Sequence, residues 1–360
     1  CIRDRAYSVR TPRAAGNDYV SHVYVRELAS AAITCLTEGD GNASALAWSR
    51  DGQQLAFSWQ AEGTNAVHVA AFDADPDATV DATVEITVYP VTGEALSGLD
   101  WSADGAHLAG VRWTPMRSAA DRGPRPGIPA PTVKVVRRLR YKLDGAGWVQ
   151  DRFLQIWVLD LATGDLIQMT DSECDYSEPK WSNQGARLAF IGMAREQNSE
   201  LGQGQIFVCD FPDGSPQRLL PDWVGACRSP AWGDKDRLIA FAGHNHPTPV
   251  NRRIFMTPYV AEVAAGTARP LAPDLQEEVG NYAVADQRAG LANITVRWPA
   301  GDPWIYFLLT EQGGANLCRI NVNGTLEHLV TGPNVAFELS LIHISEPTRQ
   351  TIPSRMPSSA

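Results

Sequence analysis

A tryptophan recurs along this chain with an apolar strand end nine positions behind it. Trp48 leads to Phe57, Trp181 to Phe190, Trp232 to Phe241 and Trp298 to Phe307, while Trp101 leads to Gly110 at the same interval. The intervening residues are alike: S-R-D-G-Q-Q-L-A after Trp48, S-A-D-G-A-H-L-A after Trp101 and S-N-Q-G-A-R-L-A after Trp181. Repetition of this kind means one supersecondary unit used several times. The unit reads as a β-hairpin. Asp-Gly or Gln-Gly supplies the turn, because glycine reaches positive φ without a steric penalty. Leu-Ala-Phe then runs as a buried strand, and the tryptophan needs a neighbour to cover its large apolar face.

A second pattern follows each hairpin. Ile156–Thr170 (I-W-V-L-D-L-A-T-G-D-L-I-Q-M-T) is an apolar strand, an acidic exit, a glycine turn and another strand. Ile206–Leu220 matches it closely, Leu317–Thr331 is a third copy, and Ile254–Ala272 is a longer, looser one. The two patterns together give four strands per repeat, which is one blade of a β-propeller. The expectation is therefore an all-β chain of four-stranded blades. No 3.6-residue period argues for helical repeats, and the uneven tryptophan spacings fit blades carrying insertions.

Both ends read as foreign to the repeat. Cys1–Arg5 (C-I-R-D-R) and Leu339–Arg349 (L-S-L-I-H-I-S-E-P-T-R), followed by Ser354–Ala360 (S-R-M-P-S-S-A), resemble translated sequencing-library adapter. They are set aside from fold reasoning, as scars of processing should be. On that reading residues 1–5 and 339–360 are artefact and residues 6–338 are an incomplete propeller. It comprises a partial blade at 6–40, five blades over about 44–332 and the start of another at 333–338, a truncated seven-bladed or similar propeller.

Composition narrows the partners. The net charge of −10 argues against a nucleic-acid binder, and no apolar run approaches the length of a membrane span. Besides Cys1, the chain has Cys35, Cys174, Cys209, Cys227 and Cys318, an odd number without C-x-x-C spacing, so neither a disulfide framework nor a zinc site is expected. Cys209 and Cys318 sit within apolar strands, where free thiols act as small hydrophobes. A reducing, cytoplasmic setting is the corresponding expectation.

Three stretches invite chemistry. The acidic run Asp73–Asp81 lacks calcium-loop spacing and reads as a solvated connection. In Gly243–Pro247 (G-H-N-H-P), two histidines two apart are compatible with a shared metal, but no third ligand is apparent, and a polar loop is the expectation. The third follows the Pro/Gly-rich Arg117–Pro131, which cannot be strand or helix interior. There Arg137, Arg138, Arg140, Tyr141 and Lys142 form a basic knot in an acidic protein. One reading makes it a substrate-facing element whose cations bind a carboxylate. The other makes it an extended hairpin with a solvated basic face.

The W-S-x-D-G-x-x-L-A-F hairpin resembles the repeat of TolB-type and WD40-like propellers and of the prolyl oligopeptidase (S9) family. R137-R-L-R-Y-K-L-D-G-A-G147, then I156-W-V-L-D-L-A-T-G, then D175-Y-S-E-P-K-W-S-N-Q-G-A-R-L-A-F, is more similar to the dipeptidyl-aminopeptidase/acylaminoacyl-peptidase-like members of that family. The resemblance covers most of Ser44–Gly332. It implies a propeller that gates access to a C-terminal α/β-hydrolase domain carrying a serine nucleophile on a G-x-S-x-G elbow. No G-x-S-x-G occurs here, so no catalytic residue carries over and the chain itself is expected to be inactive. The implied partners are a peptide substrate and the hydrolase domain, with no cofactor and no metal. A non-enzymatic, TolB-like interaction scaffold is the alternative.

Overall fold

The computed structural model describes residues 4–13, 16–28, 30–72, 84–115, 141–143, 147–149, 152–193, 203–247, 254–282, 294–332, 335–338 and 348–351. Among these, helical structure is confined to a 3-10 turn at Asp234–Asp236. The remainder is strand, turn and connection, the all-β chain that the repeat predicts. The chain divides into two compact units, Cys1–Gly202 with Phe207–Gln217, and Gln203–Ile206 with Arg218–Ala360.

The first unit opens with β1 (Asp4–Arg13), β2 (Asp18–Glu27) and β3 (Ile33–Cys35), followed by β4 (Gly41–Trp48), β5 (Gln54–Ala61), β6 (Thr64–Ala71) and β7 (Glu85–Val91). β4 to β7 form an antiparallel meander, and a parallel bridge between Ser21 and Asn42 joins β2 to β4. The repeat does not announce β1, which pairs with β2 along its whole length. The next blade takes β8 (Ser97–Trp101) and β9 (His107–Pro115). After a small hairpin of β10 (Lys142–Leu143) and β11 (Gly147–Trp148), it is completed by β12 (Arg152–Asp160) and β13 (Leu166–Gln168), in the order β13-β12-β9-β8. A third blade follows as β14 (Asp175–Trp181), β15 (Arg187–Met193), β16 (Gln205–Asp210) and β17 (Gln217–Arg218); the unit boundary passes through its last two strands.

The second unit holds a four-stranded blade of β18 (Ala226–Trp232), β19 (Leu238–His244), β20 (Thr257–Glu262) and β21 (Thr267–Pro270). In the next sheet the first strand is split into β22 (Glu278–Val279) and β23 (Val296–Arg297). Both pieces pair with β24 (Trp304–Glu311), which continues to β25 (Gly314–Asn321) and β26 (Leu326–Val330). β27 (Val335–Glu338) meets β25 through one parallel bridge and pairs with β28 (Thr348–Thr351).

The hairpin motif has a direct packing meaning. Trp48, Trp101, Trp181 and Trp232 each end a first strand, opposite Leu55, Leu108, Leu188 and Ile239. Along Leu-Ala-Phe, successive side chains face opposite sides of the sheet. Leu55 and Phe57 thus enter one core with Val23, Val25 and Trp48, whereas Ala56 enters the next with Trp101 and Leu108. Ala109 likewise shares a core with Trp181, Leu188 and Phe190, and Ala240 lies in a core against which Trp298 packs. The tryptophan of one blade is seated where the preceding blade offers only a methyl group. Its indole is also anchored once, Trp101 Nε1 donating to the Ala47 carbonyl at 2.9 Å.

Gly110, the copy lacking phenylalanine, has a steric reason. A Cβ there would lie 3.1 Å from Leu99 Cδ2 and 3.2 Å from Leu96 Cδ2. Both leucines are buried and occupy space near this backbone, leaving no room for a ring.

The turn chemistry repeats atom by atom. Ser49 Oγ donates to Asp51 Oδ1 at 2.5 Å and accepts the Gln54 N–H at 2.9 Å, while Asp51 Oδ1 accepts the Gln53 N–H at 3.0 Å. Ser102 and Asp104 make the same three bonds at 2.5, 2.9 and 3.0 Å with each other, His107 N and Ala106 N. The glycine that follows sits at φ 73° in Gly52 and 71° in Gly105, the left-handed region where a Cβ is unfavourable. In the fourth blade Asp236 takes this position at φ 54°.

A feature with no sequence signature accompanies these turns. The register slips between Ser44 and Ala47, Ser97 and Asp100, Ser177 and Lys180, and Arg228 and Ala231. Each slip is a β-bulge containing a left-handed residue three positions before the tryptophan: Ala45 (φ 54°), Gly98 (φ 60°), Glu178 (φ 56°) and Ser229 (φ 52°). Three of the four bear side chains, at roughly 1–2 kcal/mol each, so the bend they give the strand is imposed by packing rather than by local preference.

Two outcomes follow for stability. Trp101→Ala should destabilise by about 3–5 kcal/mol through the void it leaves, and Ala56→Leu by about 1–3 kcal/mol through overpacking of the same core; urea unfolding of the two variants measures both. The hydrogen bonds from Ser102 and then Ala106 N–H lower the Asp104 pKa. A carboxylate with a lowered folded pKa contributes stability above its unfolded pKa of about 4, and that stability is lost as pH falls through the folded value. The melting-temperature gap between the parent chain and Asp104→Asn should therefore be open at pH 7 and narrow below pH 4.

Candidate functional site

The basic knot marks the first region to consider. Arg137, Arg138 and Arg140 lie outside the described residues. Tyr141 and Lys142 are described, at the start of the β10–β11 hairpin, which lies between the second and third strands of its blade. The Val149 N–H donates to the Tyr141 carbonyl at 2.8 Å, and the Tyr141 ring meets Trp148 edge-on with centroids 5.3 Å apart. Val149 is fully buried, Tyr141 is 39% exposed, and Lys142 is exposed. The hairpin thus has an apolar anchor and presents a phenol and an ammonium outward.

The strands flanking this insertion carry two further cations that the sequence reading did not single out. Arg112 lies 3.9 Å over the Trp157 ring and donates to the Thr92 carbonyl at 3.1 Å. Arg152 lies 5.4 Å from the Trp113 centroid and pairs with Glu94 at 2.5 Å. Burial lowers the Arg112 pKa, and the Glu94 carboxylate opposes that shift. The sequence signal is modest: Arg112 and Trp113 follow the buried run Leu108–Val111 in β9, and Arg152 opens β12, where Trp157 lies between buried Ile156 and Val158. The arrangement fixes guanidinium groups by stacking on indoles, a stronger constraint than a solvated lysine provides.

A second anchor joins the first and third blades. Arg50, within the first Ser-Asp turn, donates to Asn183 Oδ1 at 3.0 Å and to the Trp181 and Ser182 carbonyls at 3.0 and 3.1 Å. Between the second and third blades, Asp100 accepts from Lys180 Nζ at 2.5 Å and from the Trp181 N–H at 2.9 Å. These contacts hold blades together, and the geometry gives them no reacting group.

The histidines of Gly243–Pro247 are engaged with local backbone. The His246 N–H donates to His244 Nδ1 at 3.4 Å, and Asn245 Oδ1 accepts the Val224 N–H at 2.9 Å. Burial first, and neighbouring His246 second, push the His244 pKa down. Among the described residues no group of three or more His, Cys, Asp or Glu side chains is placed to hold a metal ion.

In the second unit a cavity of about 770 Å³ opens at the end of the β24–β25 hairpin. Its wall includes Phe255, Glu277, Glu278, Tyr282, Glu311 and Asn316. Register places Glu278 opposite Thr310. Thr310 Oγ1 accepts the Tyr282 N–H at 3.0 Å and donates to the Gly280 carbonyl at 2.6 Å, tying that wall to β24. Glu311 Oε2 accepts from Asn316 Nδ2 at 2.7 Å, and His328 Nε2 lies 3.0 Å from Glu311 Oε1. Nothing in the repeat pattern marks these residues, because they sit at a strand end and on the split first strand.

The five described cysteines are free thiols. Burial pushes Cys174, Cys209 and Cys318 up to about 12 and raises Cys227 further, so thiolate is scarce at neutral pH. Cys35 is exposed. In the Cys35→Ser variant, thiol titration with a chromogenic disulfide should lose one rapidly reacting group, while Cys174, Cys209, Cys227 and Cys318 should react only on unfolding. Rapid native-state labelling of Cys209, read by peptide mass mapping, would contradict the packing.

Comparisons with known proteins bear on the whole chain. No family model matches it. It is 24% identical over 193 residues to Uncharacterized peptidase YuxL of Bacillus subtilis, a match covering 53% of this chain and 28% of that protein. In structure it is similar to the acylaminoacyl peptidase of Pyrococcus horikoshii, with a TM-score of 0.66 at 16% identity, covering 93% of this chain and 45% of that one. It is also similar to the β-propeller domain of the Trilobed protease from Pyrococcus furiosus, with a TM-score of 0.56 at 13% identity, covering 93% of this chain and 82% of that domain. The chain thus spans less than half the length of the peptidases it matches, and what it shares with these solved structures is the fold, a β-propeller of four-stranded blades.

Proposed function

We propose that this chain is the propeller of a serine peptidase of the prolyl oligopeptidase type, serving to gate peptide entry to a hydrolase domain. The observation that carries the reading is the sequence likeness to a Bacillus subtilis protein named as a peptidase. It is supported by a fold likeness to an acylaminoacyl peptidase over 93% of this chain. In such an arrangement the propeller contributes no nucleophile. Its work is exclusion: a lid of packed blades admits short or unfolded segments and keeps folded chains from an otherwise open cleft. Binding groups on the lid hold a peptide in register, which lowers the entropic cost of reaching the transition state.

Arg137, Arg138, Arg140, Tyr141 and Lys142 are the proposed contacts, through charge-assisted bonds to a carboxylate of the peptide. Arg112 and Arg152, stacked on Trp157 and Trp113, stiffen the strands from which the insertion leaves.

The gene decides the architecture. Sequencing the genomic locus should reveal a G-x-S-x-G elbow within a few hundred codons downstream of the propeller; a stop codon soon after a last blade would replace this reading with that of an interaction scaffold. In the complete enzyme, Arg140→Ala should raise KM for a peptide with a free carboxylate about fivefold, the effect of a bond worth about 1 kcal/mol, with kcat nearly unchanged. Unaltered kinetics for every arginine of the knot would remove it from the binding surface.

A further inference from the structure

The strand β1 has the register of a blade's second strand. In β5, β9 and β19 an alanine faces a valine of the following strand: Ala56 opposite Val69, Ala109 opposite Val158 and Ala240 opposite Val260. In β1, Ala6 faces Val25 of β2 in the same way. The next position carries a stacked ring pair in both β19 and β1, Phe241 on Tyr259 with centroids 5.6 Å apart and Tyr7 on Tyr24 at 5.8 Å. The edges differ. β5, β9, β15 and β19 each pair on their other side with a first strand, namely β4, β8, β14 and β18. Among the described residues β1 pairs with β2 alone. Phe57, Phe190 and Phe241 are accordingly fully buried, while Tyr7 is 38% and Val9 40% exposed.

The free edge presents a defined row of backbone groups. The Val23 N–H donates to Thr37 Oγ1 at 3.0 Å, and the Val23 carbonyl accepts the Leu36 N–H at 2.8 Å, so both point away from β1. The residue opposite in an antiparallel pair then turns its own N–H and C=O outward as well. That residue is Ser8, and alternation adds Ala6 and Arg10 to the row. Pro12, which has no N–H to leave unpaired, falls in the row beyond them. Such an edge is a template for a further strand. The outer strands β13, β17 and β21 also bound their sheets, but have two to four residues against ten in β1.

We propose that the free edge of β1 is an acceptor site for one extended polypeptide strand of the chain's own first-strand type, bound antiparallel by main-chain hydrogen bonds. The other blades specify that occupant. In each, a tryptophan faces the residue before the alanine, as Trp48 faces Leu55 and Trp101 faces Leu108. The residue before the tryptophan faces the alanine itself, and after a bulge the residue four before the tryptophan resumes the ladder. That last residue is Ser44, Ser97 or Ser177 in three blades and Arg228 in the fourth. An incoming strand in this register sets its tryptophan opposite Arg5 and its serine opposite Ser8, where each can exchange N–H and C=O with the other. Affinity then comes from the ladder, and selectivity from the bulge and the tryptophan. The site stands on the sheet alone and is independent of the function proposed above.

The probe is a fluorescein-labelled peptide, Asn-Ala-Ser-Ala-Leu-Ala-Trp-amide, which copies Asn42–Trp48, titrated with the whole chain and read by anisotropy. The expected result is saturable binding that falls at least fivefold when the peptide's serine nitrogen is methylated, and at least fivefold for the reversed sequence. Hydrogen exchange should show new protection confined to the amides of Ala6, Ser8 and Arg10. Ser8→Pro removes an edge-facing N–H without taking a bond from β2 and should weaken binding at least fivefold, while Val88→Ser, on β7, should leave it unchanged. Thermal melts show whether Ser8→Pro folds; if it does not, the methylated peptide against the parent chain decides. Absence of saturable binding overturns the site, as does equal binding of the methylated or reversed peptide. Protection gained at β7 rather than β1 overturns the assignment to this edge. Concentration-dependent dimers of the chain alone, seen by ultracentrifugation and lost in Ser8→Pro, give the edge to a second copy and overturn the proposed occupant.

Discussion

The structure depends on a size complementarity between neighbouring blades. A tryptophan at the end of one blade's first strand is buried in a core to which the preceding blade contributes the small residue of Leu-Ala-Phe, as with Trp101 and Ala56, and Trp181 and Ala109. Burial of large rings is the main favourable term, but it is available only where the opposite sheet leaves room. A strand of uniformly large residues would hold the sheets apart. Alternation of side chains across the pleat lets one strand meet both needs, since Leu55 and Phe57 fill one interface and Ala56 admits the ring in the other.

The polar residues of the motif solve a different problem. A tight connection exposes backbone donors, and Ser49 with Asp51, like Ser102 with Asp104, satisfies them from within the turn. Local sequence therefore closes each hairpin, and packing then bends it. Ala45, Glu178 and Ser229 hold left-handed backbone in the strand before the turn. Such conformations persist in side-chain-bearing residues only where the surroundings over-determine them. Ser229 shows one compensation, its Oγ accepting the Val296 N–H at 2.8 Å and so tying β18 to β23.

Function separates from this scaffold along the same line. The repeated residues are occupied by packing and turn closure, which leaves departures from the repeat, such as the insertion after β9, as the place for the proposed binding groups. The basic knot was legible because arginines cluster in sequence. Arg112 and Arg152 were not, being 40 residues apart in number and neighbours only through the β9–β12 ladder, where Pro115 faces Arg152 and Gln155 faces Arg112. The acidic cavity was still less legible. Glu278, Glu311 and Asn316 lie on three strands, and the orphaned amide oxygen of Asn316 is a property of its surroundings.

The sequence by itself determined the strand content, the hairpin closures, the blade unit and the alternation that assigns each residue to one interface or the other. These follow from interactions over about ten residues, which a repeated motif records directly. Tertiary structure alone decided the bulge three residues before each of four tryptophans, the absence of a ring at Gly110, where Leu96 and Leu99 crowd the backbone, and the meeting of Glu278, Glu311 and Asn316 at one cavity. Each of these depends on what an opposing sheet or a distant strand places nearby, and no local pattern encodes the shape of a neighbour.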